Sequence, residues 1–268
     1  MRSLRFLLAL LPLAAFAGCS NNDNPANPNS GTMIVRMTDA PAAVQAVNLV
    51  VTEVAVRVAA GQADSLSGWQ VLNSTTHTYN LMNLQNGTFV TIAQAPVPAG
   101  TYTQMRLKLG AGSTIVVDGT TYPLTVPSGL QSGFKIDGSF LVPAGGTADV
   151  SIDFNASQSI LQTGVGAYML KPVVHVMTTS TAGAIRGTVQ PASVPTSIFA
   201  TQGADTLSSA QTAANGQFTM SVLSPGTYDV RFHPAAGYRD TTISNVLVTA
   251  SQTAVVDTVR LTTTVLPQ

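Results

Sequence analysis

From Thr32 onward the chain alternates: Met33, Val35 and Met37 interleave with Thr32, Ile34 and Arg36. A period of two places successive side chains on opposite faces of a strand. The run closes at Asp39-Ala40-Pro41, residue types that favour a turn. In Val47 to Val58 the apolar parity changes, from Val47, Leu49 and Val51 to Val54, Val56 and Val58. Such a flip implies a β-bulge or a strand buried on both faces. Further short apolar runs follow at 88–93, 101–109, 114–117, 122–126, 134–142, 148–154 and 169–178, each bounded by Gly, Pro, Asn or Asp. Asp118-Gly119 between two of them predicts a type I′ hairpin, whose positive φ angles these residues tolerate. No segment carries a 3.6-residue apolar stripe, so residues 32–178 are expected to form an antiparallel β-sandwich.

A polar linker, Thr178 to Gly183, precedes a second block with the same rhythm, at 184–189, 197–201, 217–222, 227–233, 242–249 and 253–261. Residues 184–268 are therefore expected to form a second, smaller sandwich. The turn Ser224-Pro225-Gly226-Thr227-Tyr228 echoes Pro98-Ala99-Gly100-Thr101-Tyr102 of the first block. Two instances indicate a shared turn solution, not a repeat protein.

The N-terminus breaks this rhythm. Arg2 and Arg5 precede an apolar run from Phe6 to Ala17 that stops at Gly18-Cys19-Ser20. A spanning helix needs about 20 apolar residues, so this shorter run is expected to be a signal peptide over 1–18. Residues 19–31, rich in Asn, Pro and Ser, have no apolar period and are expected to be a disordered tether.

Composition sharpens both readings. Glu53 is the single glutamate and lysine occurs three times, while Val and Thr are abundant, which disfavours helices and suits strands. Cys19 is the lone cysteine, so the chain can form no internal disulfide and offers no Cys-based nucleophile or metal site. Removing residues 1–18 takes away Arg2 and Arg5 and leaves 10 basic against 12 acidic side chains, a net charge of −2. With charged residues at only 9%, no overall electrostatic footprint for nucleic acid is expected.

The sequence resembles known families at three places. Phe16-Ala17-Gly18-Cys19 is similar to the lipobox of bacterial lipoproteins, although Phe16 stands where leucine is usual. That resemblance implies lipidation of Cys19, with Ser20 in place of aspartate implying an outer-membrane or cell-surface destination; two acyl chains anchor stably where one does not. Thr38-Asp39-Ala40-Pro41, Leu84-Gln85-Asn86-Gly87, Gly100-Thr101-Tyr102, Ser132-Gly133-Phe134-Lys135, Asp153-Phe154-Asn155-Ala156-Ser157 and Tyr168-Met169-Leu170-Lys171-Pro172-Val173 resemble domain of unknown function 4382, a family of surface lipoproteins. Arg186-Gly187-Thr188-Val189, Asn215-Gly216-Gln217-Phe218 and Pro225-Gly226-Thr227-Tyr228 resemble the carboxypeptidase regulatory-like domain. The latter implies a transthyretin-like, non-catalytic accessory with no cofactor. The fold expected is thus all-β: two antiparallel β-sandwich domains, Ig-like or transthyretin-like, behind a leader and a tether.

Candidate chemistry is sparse. The sequence holds no Gly-x-Ser-x-Gly elbow, His-Glu-x-x-His helix or phosphate loop, and His77, His175 and His233 are far apart. Asp153, Asn155 and Asp137 are the oxygen donors nearest to a calcium set, which needs six or more oxygens; capping of a turn by Asp153 and Asn155 is the commoner arrangement. Trp69, next to Gly68, is the candidate for stacking on a sugar, although aromatics in sandwiches usually join the core. Lys135 and Lys171 either pair with Asp137 or Asp153 or lie at solvated edges. The expectation is a non-enzymatic, lipid-anchored envelope protein with a structural, adhesive or interaction role and an envelope protein or glycan as partner; the alternative is a carbohydrate-binding surface lipoprotein.

Overall fold

The computed structural model describes residues 29–40, 42, 44–59, 68–127 and 132–264; the leader, Cys19 and the tether up to residue 28 lie outside them. The first unit is built from two sheets. One has four strands: β1 (Ser30–Ala40), β5 (Val90–Pro98), β10 (Thr147–Asn155) and β13 (Val174–Thr178), in the order β13-β10-β1-β5. The other has nine: β2 (Ala46–Val58), β3 (Trp69–Asn73), β4 (His77–Asn80), β6 (Gly100–Leu109), β7 (Thr114–Val117), β8 (Thr120–Thr125), β9 (Phe134–Val142), β11 (Ile160–Gly164) and β12 (Ala167–Leu170).

The alternating residues make the core. Met33, Val35 and Met37 of β1 and Val150, Ile152 and Phe154 of β10 pack with Val47, Leu49, Met105 and Phe140 of the larger sheet in one apolar cluster. The parity flip in β2 is a bulge, since its pairing with β6 slips between Val51 and Glu53. Asp118 and Gly119 join β7 to β8 with φ of 49° and 75°, the two positive angles a type I′ turn requires.

Antiparallel pairing dominates, but β1 pairs in parallel with β10 along its length, from Thr32 opposite Thr147 to Ala40 opposite Asn155. This pairing changes one expectation. The strand does not turn at Asp39; it runs to Ala40, because Asp153 to Asn155 supply the hydrogen-bonding edge that Thr38 to Ala40 need. It also begins at Ser30, two residues ahead of the alternation. The run at 169–178 is interrupted at Lys171-Pro172-Val173, where Pro172 has no N–H to give a ladder. Strands β3, β4 and β11 were not foreseen, since their polar and half-exposed residues lack apolar alternation.

The second unit comprises β14 (Gly183–Gln190), β15 (Thr196–Gln202), β16 (Asp205–Gln211), β17 (Gln217–Leu223), β18 (Gly226–Pro234), β19 (Thr241–Val248), β20 (Thr253–Val255) and β21 (Val259–Arg260). They form one sheet ordered β17-β14-β20, with β21 also on β14, and a second ordered β16-β15-β18-β19. Ile185, Val189, Ile198, Phe218, Val230 and Phe232 fill the space between, with the Phe218 and Phe232 rings edge-on at 5.6 Å.

The echoed turns have one physical purpose. Tyr102 Oη donates to the Pro98 carbonyl at 2.9 Å and Tyr228 Oη to the Ser224 carbonyl at 2.8 Å, each reaching back four residues. Both rings are almost wholly buried, so each unit carries a tyrosine corner that pins a turn to the core. Removing one hydroxyl breaks a part-buried bond and frees the turn from the core. Tyr102→Phe and Tyr228→Phe are each expected to cost about 1 kcal/mol, read as a lowered midpoint in chemical denaturation.

Candidate functional site

The two units meet across the outer face of β13-β10-β1-β5. Val150, Ile152 and Phe154 point into the core, so Ser151 and Asp153 face the other way. Ser151 lines a cleft of about 400 Å3 together with Ala184, Ser221 and Gln252 of the second unit. His175 and Met177 line a smaller one with Leu207, Val222 and Tyr228, and Ser224 Oγ donates to Met177 Sδ at 3.5 Å. Val222 takes a φ of 59° here, unusual for a β-branched residue and costly at about 1–3 kcal/mol.

Asp153 lies within this seam. Its neighbours in register are Thr38 on β1 and His175 on β13, and it is only 4% exposed. Burial pushes its carboxyl up to about 7, because taking a carboxylate out of water penalises the charged form. Burial likewise pushes the His175 imidazole down. Thr38 Oγ1 is directed elsewhere, to the carbonyls of Leu84 and Thr88 at 2.8 and 2.9 Å.

Asp39 is a second buried carboxyl at this end of the strand pair. Its Oδ1 accepts from the Ala156 N–H at 3.1 Å, while Oδ2 has no partner. Burial above all, then the charge of Asp153, raise its pKa well above the usual carboxylate value, against the lowering effect of the Ala156 bond. Residue pattern alone places Asp39 in a turn. Its place in Thr38-Asp39-Ala40, one of the family-like motifs, was the signal that marked it.

The calcium candidates do not converge. Asn155 Oδ1 caps the short helix α1 (Ala156–Ser159), accepting from Gln158 N at 3.1 Å and Ser157 Oγ at 2.8 Å. Asp153 is in the seam, and Asp137 sits on β9 of the other sheet, where its Oδ1 accepts from Gln104 Nε2 at 2.8 Å. Among the described residues no three His, Cys, Asp or Glu side chains gather as a metal set. Nor does a described hydroxyl or amine bond His175 or Asp153, as a nucleophile–base pair would require. Lys135 and Lys171 are both exposed, and neither forms an ion pair among the described residues.

Trp69 belongs to a different surface, the outer face of the nine-stranded sheet. In register, Arg57 stands between Trp69 and Gln104, and Ala55 between Val71 and Arg106; Arg106 is opposite Lys135, and Glu53 opposite Lys108. Ala55 is too short to fill its place, so Trp69 and Arg106 meet above it, with the guanidinium carbon 4.5 Å from the indole centroid. That covers Ala55 completely and takes one face of the indole. Glu53 accepts from Arg106 Nη2 at 2.7 Å and from Lys108 Nζ at 2.9 Å. Partial burial pushes its carboxyl up, but the hydrogen bonds and charges of Lys108 and Arg106 outweigh this and hold it below the ordinary value.

Fold and seam together define a two-unit, nearly all-β protein whose second sandwich rests on the outer face of the first. Over residues 30–172 it matches the model of a family described as domain of unknown function (DUF4382), and the chain belongs to that family. No curated protein matches it. Among solved structures it is similar to a cohesin–X-dockerin complex from Acetivibrio cellulolyticus, at 22% identity over 30% of this chain and 58% of that one, with a TM-score of 0.25. The chain thus spans less than two thirds of that structure's length. It is similar also to GBS52, a minor pilin of Streptococcus agalactiae, at 11% identity over 88% of this chain and 98% of that one (TM-score 0.23). A third is the shaft pilin of Lactobacillus rhamnosus GG, at 10% identity over 89% and 100% of the two chains (TM-score 0.27).

The Asp153 carboxyl carries a definite sign for stability. Its folded pKa of about 7 exceeds the reference value of 3.8, so the stability linked to its proton is fully present below about pH 4 and lost as pH rises through 7. Asp39 acts in the same direction. Asp153→Asn is expected to flatten the loss of stability between pH 4 and 7 and to be more stable than the wild type at pH 8. Denaturation midpoints at pH 5 and 8 check this; an unchanged pH dependence in the variant contradicts it.

Proposed function

We propose that this protein is a lipid-anchored extracytoplasmic lipoprotein, cleaved after Gly18 and held in the membrane through Cys19, with a structural or interaction role in the cell envelope. The observation that carries this reading is the chain's only cysteine, which closes a short apolar leader at Gly18-Cys19-Ser20. Two things support it: no helix among the described residues is long and apolar enough to cross a membrane, and the described chain is nearly all strand. Ser20 favours the outer membrane or cell surface as the destination. The partner in this reading is an envelope protein or glycan, and no cofactor takes part.

The second unit is assigned to the carboxypeptidase regulatory-like class. Its eight strands in two sheets, the Asn215-Gly216 turn and the Pro225-Gly226-Thr227-Tyr228 corner support this. It serves as a non-catalytic accessory that covers the outer face of the first unit. Glycan binding is the second reading, favoured by Trp69 and the polar side chains ranged beside it.

Growth with labelled palmitate tests the anchor. Labelling of the wild type, with loss of both label and membrane association in Cys19→Ser, is the expected outcome; an unlabelled wild type sinks it. A glycan array separates the two readings of the partner. Saturable glycan binding abolished by Trp69→Ala moves the function to carbohydrate recognition.

A further inference from the structure

The outer face of the nine-stranded sheet carries a local surplus of positive charge. Arg57, Arg106, Lys108 and Lys135 lie on three neighbouring strands in linked register, β2, β6 and β9, with Glu53 and Asp137 the only counter-charges on those strands among the described residues. Four cations against two anions leave this face at +2, in a chain of net charge 0 with 12 Lys and Arg in 268 residues. The remainder of the protein is therefore −2. The excess is available: Arg57 and Lys135 are exposed and make no ion pair among the described residues, whereas Glu53 is committed to Arg106 and Lys108.

The geometry is that of a flat grid. Adjacent strands lie about 4.8 Å apart and same-face neighbours along a strand about 7 Å apart, so Arg57 on β2 and Lys135 on β9 flank the Arg106–Glu53 pair on β6 and β2 at short, regular steps across the sheet. The Trp69–Arg106 contact and the ion pairs with Glu53 hold Arg106 at the centre. The second unit leaves this side open, since it packs on the opposite sheet.

We infer that this face is a docking surface for an anionic polysaccharide, engaged by Arg57 and Lys135 with Trp69 at its border. A protein partner needs a contiguous apolar interface core, whereas the large apolar side chains exposed among the described residues of these strands, Val71 at 47% and Leu141 at 65%, stand on opposite sides of the grid, on β3 and β9. A polyanionic glycan needs none: it takes charge-assisted hydrogen bonds from guanidinium and ammonium groups and a ring surface for its sugars. The inference rests on the interaction role proposed above but not on the anchor, so an unlabelled Cys19 leaves it standing.

Co-sedimentation or affinity electrophoresis of the full chain tests it with three polymers: polygalacturonate, a glycerol-phosphate polymer and neutral dextran. The expected result is saturable binding to one or both anionic polymers and none to dextran, weakening about tenfold as salt rises from about 0.05 to about 0.3 M. The two anionic arms distinguish carboxylate from phosphate. Arg57→Ser combined with Lys135→Ser, both exposed and unpaired and so harmless to folding, should weaken binding about tenfold. Lys171→Ser, an exposed lysine outside this face, should not. Equal binding to dextran, a double variant that binds like the wild type, or tighter capture of single-stranded DNA or of an acidic protein would each overturn the assignment.

Discussion

The parallel pairing of β1 with β10 is the constraint on which the architecture rests. Both strands are interior to their sheet and turn one face to the core of the first unit, while the other face is buried at Ser151 and Asp153 of β10 and at Thr38 of β1. Met33, Val35 and Met37 with Val150, Ile152 and Phe154 account for the first face. The second carries Thr38, Ser151 and Asp153, polar groups that an ordinary sandwich leaves in water. Where such groups are buried, each must find a partner or change its protonation: Thr38 and Ser151 take the first course and Asp153 the second, while Asp39, on the core-side parity of β1, leaves its Oδ2 without a partner.

The joint between the units mixes polar and apolar side chains, with Phe89, Ala184 and Val222 beside Ser151, Ser221 and Thr253 in one cleft and Met177, Leu207 and Leu223 beside His175 in another. Several of the polar groups are bonded locally, as in Ser151 with Thr179, while Ser251 Oγ donates to the Ser180 carbonyl of the linker. Such a mixed surface resembles an interface between domains more than a fused core. The connection is kept short instead: Thr181 and Ala182 fold back onto the Thr178 carbonyl, so β13 and β14 follow each other with little slack.

Much of the fold was legible because period-two alternation reports directly on a strand with one dry face. The runs at 114–117 and 134–142 coincide with β7 and β9, and the Asp118-Gly119 turn falls where its φ preferences require. Strands with no dry face left no such mark, as in β11, whose residues after Ile160 are exposed. The same limit hid the seam. Asp39 and Asp153 look like turn and surface residues one at a time, and become buried carboxyls only through a parallel pairing across more than 110 positions, which local pattern cannot supply. The cationic face was hidden for a related reason. Arg57, Arg106 and Lys135 are scattered in sequence, and a near-zero net charge averaged them away.

The position of β1 has a mechanical side. Its first residue, Ser30, follows directly on the N-terminal segment, and the strand is bonded along one edge to β5 and along the other to β10. A pull delivered from the N-terminal side runs along the axis of β1, so the ladders on both flanks take the strain together, in shear, rather than rung by rung. The central strand of the four-stranded sheet is thus also placed to bear tension.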